Sequence, residues 1–172
     1  IVGASPVIVN TIIAGNSCQG VAEEAGGAGI GCADASSPTF ANCLVANNAT
    51  PTTAGGAGVG SPVWGGDCDP EFVNTIFYGN DDVAIYEGTA DSDVTLKNCL
   101  FFANAAGDVW DEDSTLYTGA VQINANIPEA TNCVTGEPKF IDAANGDYRV
   151  AADSPAVDAG TRMVRPMPPS TA

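Results

Sequence analysis

The stretches SPVIVNTIIAGN (5–16), SPTFANCLVANN (37–48), DPEFVNTIFYGN (69–80) and DVTLKNCLFFAN (93–104) are copies of one pattern, and their reading decides the fold. Two weaker copies follow, DSTLYTGAVQIN (113–124) and EPKFIDAANGDY (137–148), so that successive starts lie 32, 32, 24, 20 and 24 residues apart. A second string, AGGAGIG (25–31) and AGGAGVG (54–60), repeats between the early copies. One apolar column runs through Ile8, Phe40, Phe72, Leu96, Leu116 and Phe140; another runs through Ile13, Val45, Phe77, Phe101 and Val121. Short β-branched and aromatic runs cut by Gly, Asn, Asp and Pro read as strands, and no stretch carries a sustained helical period. A unit this short cannot bury a strand face alone and has to stack on its neighbours. The expected architecture is all-β, a solenoid of parallel strands with about six coils. Insertions at 17–24, 49–53 and 61–68 lengthen the first two periods and are expected to project from the corners.

Two polar columns keep the same register. Asn10, Asn42, Asn74 and Asn98 share one position, with Thr118 and Asp142 in the last two copies; Asn16, Asn48, Asn80, Asn104 and Asn124 share another. Asn tolerates left-handed backbone at a corner, and stacked amides bond to one another along an axis, so these residues read as structural ladders.

The composition narrows the function. Among 172 residues there are five Lys plus Arg, twenty-one Asp plus Glu and no His, a formal charge of −16. Such a charge repels phosphate backbones and anionic membrane surfaces, which argues against nucleic-acid binding. Without an imidazole there is no Ser-His-Asp or Cys-His site and no His-ligated zinc. No apolar run is long enough to span a bilayer, and the first residues lack the pattern of a signal peptide, so the sequence reads as a mature or excised form. Six Cys in an acidic chain fit an oxidising compartment, extracellular or at the cell surface.

The Gly-rich GGAGI and GGAGV, together with FYGN (77–80) and FFAN (101–104), resemble right-handed parallel β-helix repeat proteins. More narrowly they are similar to bacterial secreted or surface proteins with polymorphic-membrane-protein-type repeats. The stretch from Gly136 to Thr161 resembles the segment that ends the coil stack in such proteins. The resemblance implies a β-helix domain over 1–161 and a Pro-rich tail over 162–172. The fold group also contains pectate lyases and polygalacturonases, and here the sequence departs from them. Asn10-Thr11 and Asn74-Thr75 are each followed by Ile rather than Asp, no Gly-His-Gly element exists, and Lys97, Lys139 and Arg149 are scattered.

Aligned on the repeats, Asp69, Asp93, Asp113 and Glu137 fall at one position, with Asp67, Asp91 and Asp111 two residues earlier. Two readings stand side by side. Neighbouring DxD turns offer the oxygens that calcium takes, with Asp81, Asp82, Asp108 and Glu112 as further ligands. Alternatively, Asp is a good residue for a turn that opens a strand, and every carboxylate is solvated. A third reading makes two of them the acid and base of an inverting glycosidase.

Cys43 and Cys99 share the column of Thr11 and Thr75, two coils apart, and read as small buried residues. Cys18, Cys32, Cys68 and Cys133 remain for at most two bridges, with their pairing open. Trp64 and Trp110 read as loop aromatics that either stack on sugars or cover a core edge. A solenoid needs caps, and the first strand begins almost at once after Ala4. Either an upstream segment or a second copy of the chain covers it, the latter building a head-to-tail homo-oligomer. The function that follows is a non-enzymatic extracellular structural or surface protein, a filament subunit in one form. The alternatives are a carbohydrate-active or carbohydrate-binding fragment with a polysaccharide partner, and an adhesin passenger segment.

Overall fold

A computed structural model describes residues 1–18, 27–50, 56–61, 66–90 and 92–161. Each of the first four copies supplies two strands, and the connection to the next copy supplies a third. The coils are β1 (Val7–Val9), β2 (Ile12–Ala14) and β3 (Ile30–Gly31); β4 (Thr39–Ala41), β5 (Leu44–Ala46) and β6 (Val59–Ser61); β7 (Glu71–Val73), β8 (Ile76–Tyr78) and β9 (Val83–Glu87); and β10 (Thr95–Lys97), β11 (Leu100–Phe102) and β12 (Gly107–Trp110). Like strands pair in parallel, coil on coil, in the register the repeats define: Ile8 opposite Phe40, Phe40 opposite Phe72, Phe72 opposite Leu96. The result is three parallel sheets and a right-handed β-helix.

The alternation of each strand sends one column inward from each sheet. Phe40 stacks on Phe72 with ring centroids 5.0 Å apart, and Phe77 stacks on Phe101 at 4.9 Å. Phe72 meets Phe77 edge to face at 5.2 Å and so joins the two columns across the interior. The third sheet adds Ile30, Val59, Ile85 and Val109, all buried. The Gly-rich strings find their reason here. Gly58 leads into β6 directly beneath the backbone of coil three, and a Cβ there would collide with the carbonyl oxygen of Ala84.

Two corners carry the polar columns. At the first, Asn10, Asn42, Asn74 and Asn98 all adopt left-handed backbone, with φ from 51 to 53°. The next residue reaches back to the carbonyl two positions earlier: Thr11 to Val9, Cys43 to Ala41, Thr75 to Val73, Cys99 to Lys97. At the second corner the amides form a continuous ladder. Asn16 donates through Nδ2 to Asn48 Oδ1 (3.0 Å), Asn48 to Asn80 Oδ1 (3.1 Å), and Asn80 to Asn104 Oδ1 (2.9 Å). Each acceptor also takes the backbone N–H of the preceding rung.

The last two copies do not continue the stack in the expected register. Leu116 lies in β13 (Leu116–Tyr117), which turns back antiparallel on β12 and pairs with Trp110. Val121 and Asn124 lie in a helix, α1 (Ala120–Asn126), and Val121 is exposed. The fifth coil is instead β14 (Ala130–Thr131) and β15 (Val134–Thr135), with Leu96 opposite Ala130 and Leu100 opposite Val134. Its corner is Asn132-Cys133, with Asn132 at φ 54° and the Cys133 thiol aimed at the carbonyl of Thr131. Phe140 belongs to an antiparallel hairpin of β16 (Phe140–Asp142) and β17 (Asp147–Val150). Four coils therefore have strands in all three parallel sheets, and a fifth has them in two. The helical segment was legible after all: Ala120, Ile123 and Ile127 are one apolar helical face, and all three enter the core.

Residues 137–161 do not form a sixth coil. They run as a strap over the outer face of β5, β8 and β11, where Leu44, Ile76 and Leu100 point outward. Phe140 packs edge-on to Tyr78 and to Tyr148, while Thr161 exchanges hydrogen bonds with Asn74 and accepts one from Asn98. The projecting insertions fall largely, and the tail over 162–172 entirely, outside the described residues, as does Trp64. Trp110 ends β12 and stacks on Tyr86 of β9, so it is a strand residue rather than a loop one.

Asn48 and Asn80 are the most heavily bonded rungs: both are buried, and each also donates to a carbonyl of the preceding coil, that of Ile13 or Val45. Asn80→Ala removes a donor and an acceptor from a site with no water to replace them and is expected to cost about 3 kcal/mol in urea unfolding. Asn16→Ala, at the exposed end of the same ladder, is expected to cost under ~1 kcal/mol by the same measurement.

Candidate functional site

The acidic positions read as one file separate in space. Asp69 and Asp93 are on adjacent coils, both exposed, and the Asp93 backbone N–H donates to Asp69 Oδ1 at 3.1 Å. Asp67 is exposed, and Asp91 lies outside the described residues. Asp111 and Asp113 sit in the turn between β12 and β13, where Asp113 Oδ1 accepts the Thr115 N–H at 2.8 Å. Glu137 is exposed at the start of the strap. Because β13 runs antiparallel, Asp113 has no place above Asp93, and Glu137 follows the fifth coil rather than opening a sixth.

The carboxylates that do converge are Glu87, Asp111 and Glu112, whose oxygens lie within 4.8 Å of one another. Glu87 ends β9 and is only 4% exposed; its Oε1 accepts the Val94 N–H at 2.6 Å, just before β10. Burial, reinforced by the charges of Asp111 and Glu112, pushes the Glu87 carboxyl up to about 9. The hydrogen bond to Asp111, together with partial burial, pushes Glu112 up to about 7. Asp111 thus stands beside two carboxyls, Glu87 and Glu112, that both hold their protons to higher pH than usual. Asp93 adds repulsion on the Glu112 side, and Tyr117, Asp113 and Asp111 face one another beyond it. The three ion pairs among the described residues, Lys97–Glu71, Lys139–Asp153 and Arg149–Asp147, all lie elsewhere. Sequence alignment of the coils could not find Glu87, because it stands at the end of the third strand rather than in a DxD turn.

Asp108 has a different task from the ligand role considered for it. Buried, its Oδ1 accepts from Asn104 Nδ2 at 2.9 Å and its Oδ2 from the Gly119 N–H at 2.7 Å, where α1 begins. It ends the amide ladder and seats the helix. Asn124 is not a rung: it holds both backbone groups of Cys133, donating to its carbonyl and accepting from its N–H.

A groove of about 450 Å³ runs between the strap and the first three coils. Asn10, Asn42 and Asn74 line one side, and Asp147, Tyr148 and Arg149 the other. Arg149 donates to Asp147 at 2.6 Å and holds its carboxyl down to about 2. All six cysteines are free thiols, and no bridge pins the insertions.

Residues 2–127 match the family model described as right handed beta helix region. The chain belongs to that family. No curated protein and no solved structure matches it. The match ends at Ile127, just before the fifth coil, so the helix α1 falls inside it and the strap outside.

The acid cluster makes stability depend on pH. The folded chain holds the Glu87 proton up to about pH 9, whereas an unfolded chain releases it near pH 4.5. Between those values the folded state binds more protons, and stability falls as pH rises. The unfolding midpoint is expected to drop by roughly 5–15 °C from pH 5 to pH 9. Glu87→Gln, which keeps the acceptor for Val94 and a donor for Asp111, should flatten that slope and raise the midpoint at pH 8. A wild-type profile that rises with pH would contradict the protonated cluster.

Proposed function

We propose that this β-helix is a non-catalytic structural protein of the cell exterior whose first coil is an association surface. One observation carries the reading. Val7, Val9 and Ile12, each at least half exposed, lie on β1 and β2, whose outer edges pair with no other strand among the described residues, while residues 1–3 run along the outer edge of β3. Unpaired edges with apolar side chains are templates for another strand, and covering them lowers the free energy. The opposite end differs: α1 presses Ala120, Ile123 and Ile127 into the core there, and the fifth-coil strands are two residues long. Head-to-tail growth would displace that helix. Two first coils facing one another across a two-fold axis cover both edges without doing so.

The absence of His and the scattering of Lys and Arg support a non-catalytic role. Calcium support of the acidic turns belongs to the same reading, and equal unfolding midpoints in calcium and in chelator would remove it. Sedimentation and electron microscopy test the association. Two-subunit particles are expected, dispersed by the pair Val9→Lys and Ile12→Lys; strictly monomeric wild-type particles would defeat the idea, and open filaments would replace the two-fold pair by head-to-tail growth.

A second reading, carbohydrate binding, is favoured by the groove, where amides face a phenol ring and a guanidinium–carboxylate pair, groups that bond and stack on sugars. Retention on an immobilised neutral polysaccharide, lost in Tyr148→Ala, is the outcome it requires.

A further inference from the structure

The corner column Thr11, Cys43, Thr75, Cys99, Cys133 mixes hydroxyls and thiols, and in its last two members thiols fall on adjacent coils. Lys97 opposite Thr131 and Leu100 opposite Val134 bracket the pair, which places Cys99 and Cys133 directly over one another. Parallel strands lie roughly 4.8 Å apart, inside the Cα separation of about 4.4–6.8 Å that a disulfide spans. Cys43 has no such neighbour, since Thr11 and Thr75 occupy the positions on either side.

The two thiols are neighbours, both buried, with Cys133 the nearer to the surface at 5% against 0%. Burial holds the Cys99 thiol well above its ordinary value. The neighbouring Cys99 thiol holds the Cys133 thiol below its own. Cys133 is therefore the sulfur that ionises first and meets a reagent first. Strand pairing around it is short, two residues in β14 and two in β15, and on one side only, so local opening exposes it at low cost.

We infer that Cys99 and Cys133 are a dithiol that closes into a disulfide between the fourth and fifth coils when an external disulfide is available. The Cys133 thiolate attacks one sulfur of the oxidant RS–SR; that S–S bond breaks, and the leaving thiolate takes up the proton Cys133 has lost. The Cys99 sulfur, its proton passing to solvent, then attacks Cys133 Sγ in the mixed disulfide and expels the second thiolate, which is protonated in turn. Two electrons pass to the oxidant, one disulfide becomes two thiols, and no proton is gained or lost overall. The bond ties the fifth coil to the stack, and with it α1, which Asn124 fastens to the backbone of Cys133.

The test uses the full chain equilibrated with oxidised glutathione, alkylated after denaturation and mapped by peptide mass. A loss of about 2 Da, a linked pair of peptides holding Cys99 and Cys133, and four alkylated cysteines are expected. Six alkylated thiols, or a bridge joining any other pair such as Cys32 and Cys68, would overturn the inference. Cys99→Thr and Cys133→Thr place in the column the residue that Thr75 already shows to fit, so each should fold with an unchanged far-ultraviolet spectrum and lose no hydrogens. A folded variant that still forms a bridge would overturn it as well.

Discussion

A chain that coils on itself in parallel must turn at the same corner in every turn and still satisfy the backbone groups it leaves behind. The first corner solves this with two adjacent residues. An Asn accepts the left-handed conformation, and the following Thr or Cys returns a hydrogen to the carbonyl two residues before it. Because both devices sit inside one dipeptide, each coil carries its own corner, and strands enter and leave at the same angle every time. The stacked Phe pairs follow from that regularity, since rings repeat face to face at 4.9–5.0 Å only where their backbones repeat.

The two ends of the described stack are built differently. At one, the core is closed by an amphipathic helix whose entry is fastened by Asp108 and by Thr135, which accepts the Ala120 N–H at 2.7 Å. At the other, among the described residues, Val7, Val9 and Ile12 are exposed on β1 and β2, and residues 1–3 run along β3. The acid cluster adds a second asymmetry, since Glu87 and Glu112 hold their protons to higher pH than an ordinary carboxyl does. The chain at neutral pH is thus less anionic than its count of carboxylates suggests, and least so where β9 and β12 leave the third sheet.

The four early coils were legible in the sequence because their corners are written in side chains that do specific work: Asn42-Cys43 and Asn74-Thr75 can be aligned by eye. The fifth was misread for a physical reason. Its inward residue is Ala130, too small to register as a column, whereas Leu116 and Val121 mimic one while belonging to a hairpin and a helix. A period of three to four in Ala120, Ile123 and Ile127 was the better signal, and Asn132-Cys133 was the corner it led to. The acidic alignment inherited the same slip, so Asp113 and Glu137 were assigned to a file that ends with Asp93. Glu87 was beyond reach, because its meeting with Asp111 depends on the third strand of each coil, where the repeats carry least sequence likeness.

The amide ladder is vectorial. Every rung-to-rung bond runs from an amide N–H to the amide oxygen of the next coil, and the series terminates on the side-chain oxygen of Asp108. Reversing a single amide would set donor against donor at one contact and acceptor against acceptor at the next, so the file holds its polarity as a unit. A lineage can therefore lengthen or shorten this protein by duplicating or deleting whole coils, each delivering one rung in the same sense, but an indel within a coil would break the current of aligned dipoles at the point where it fell.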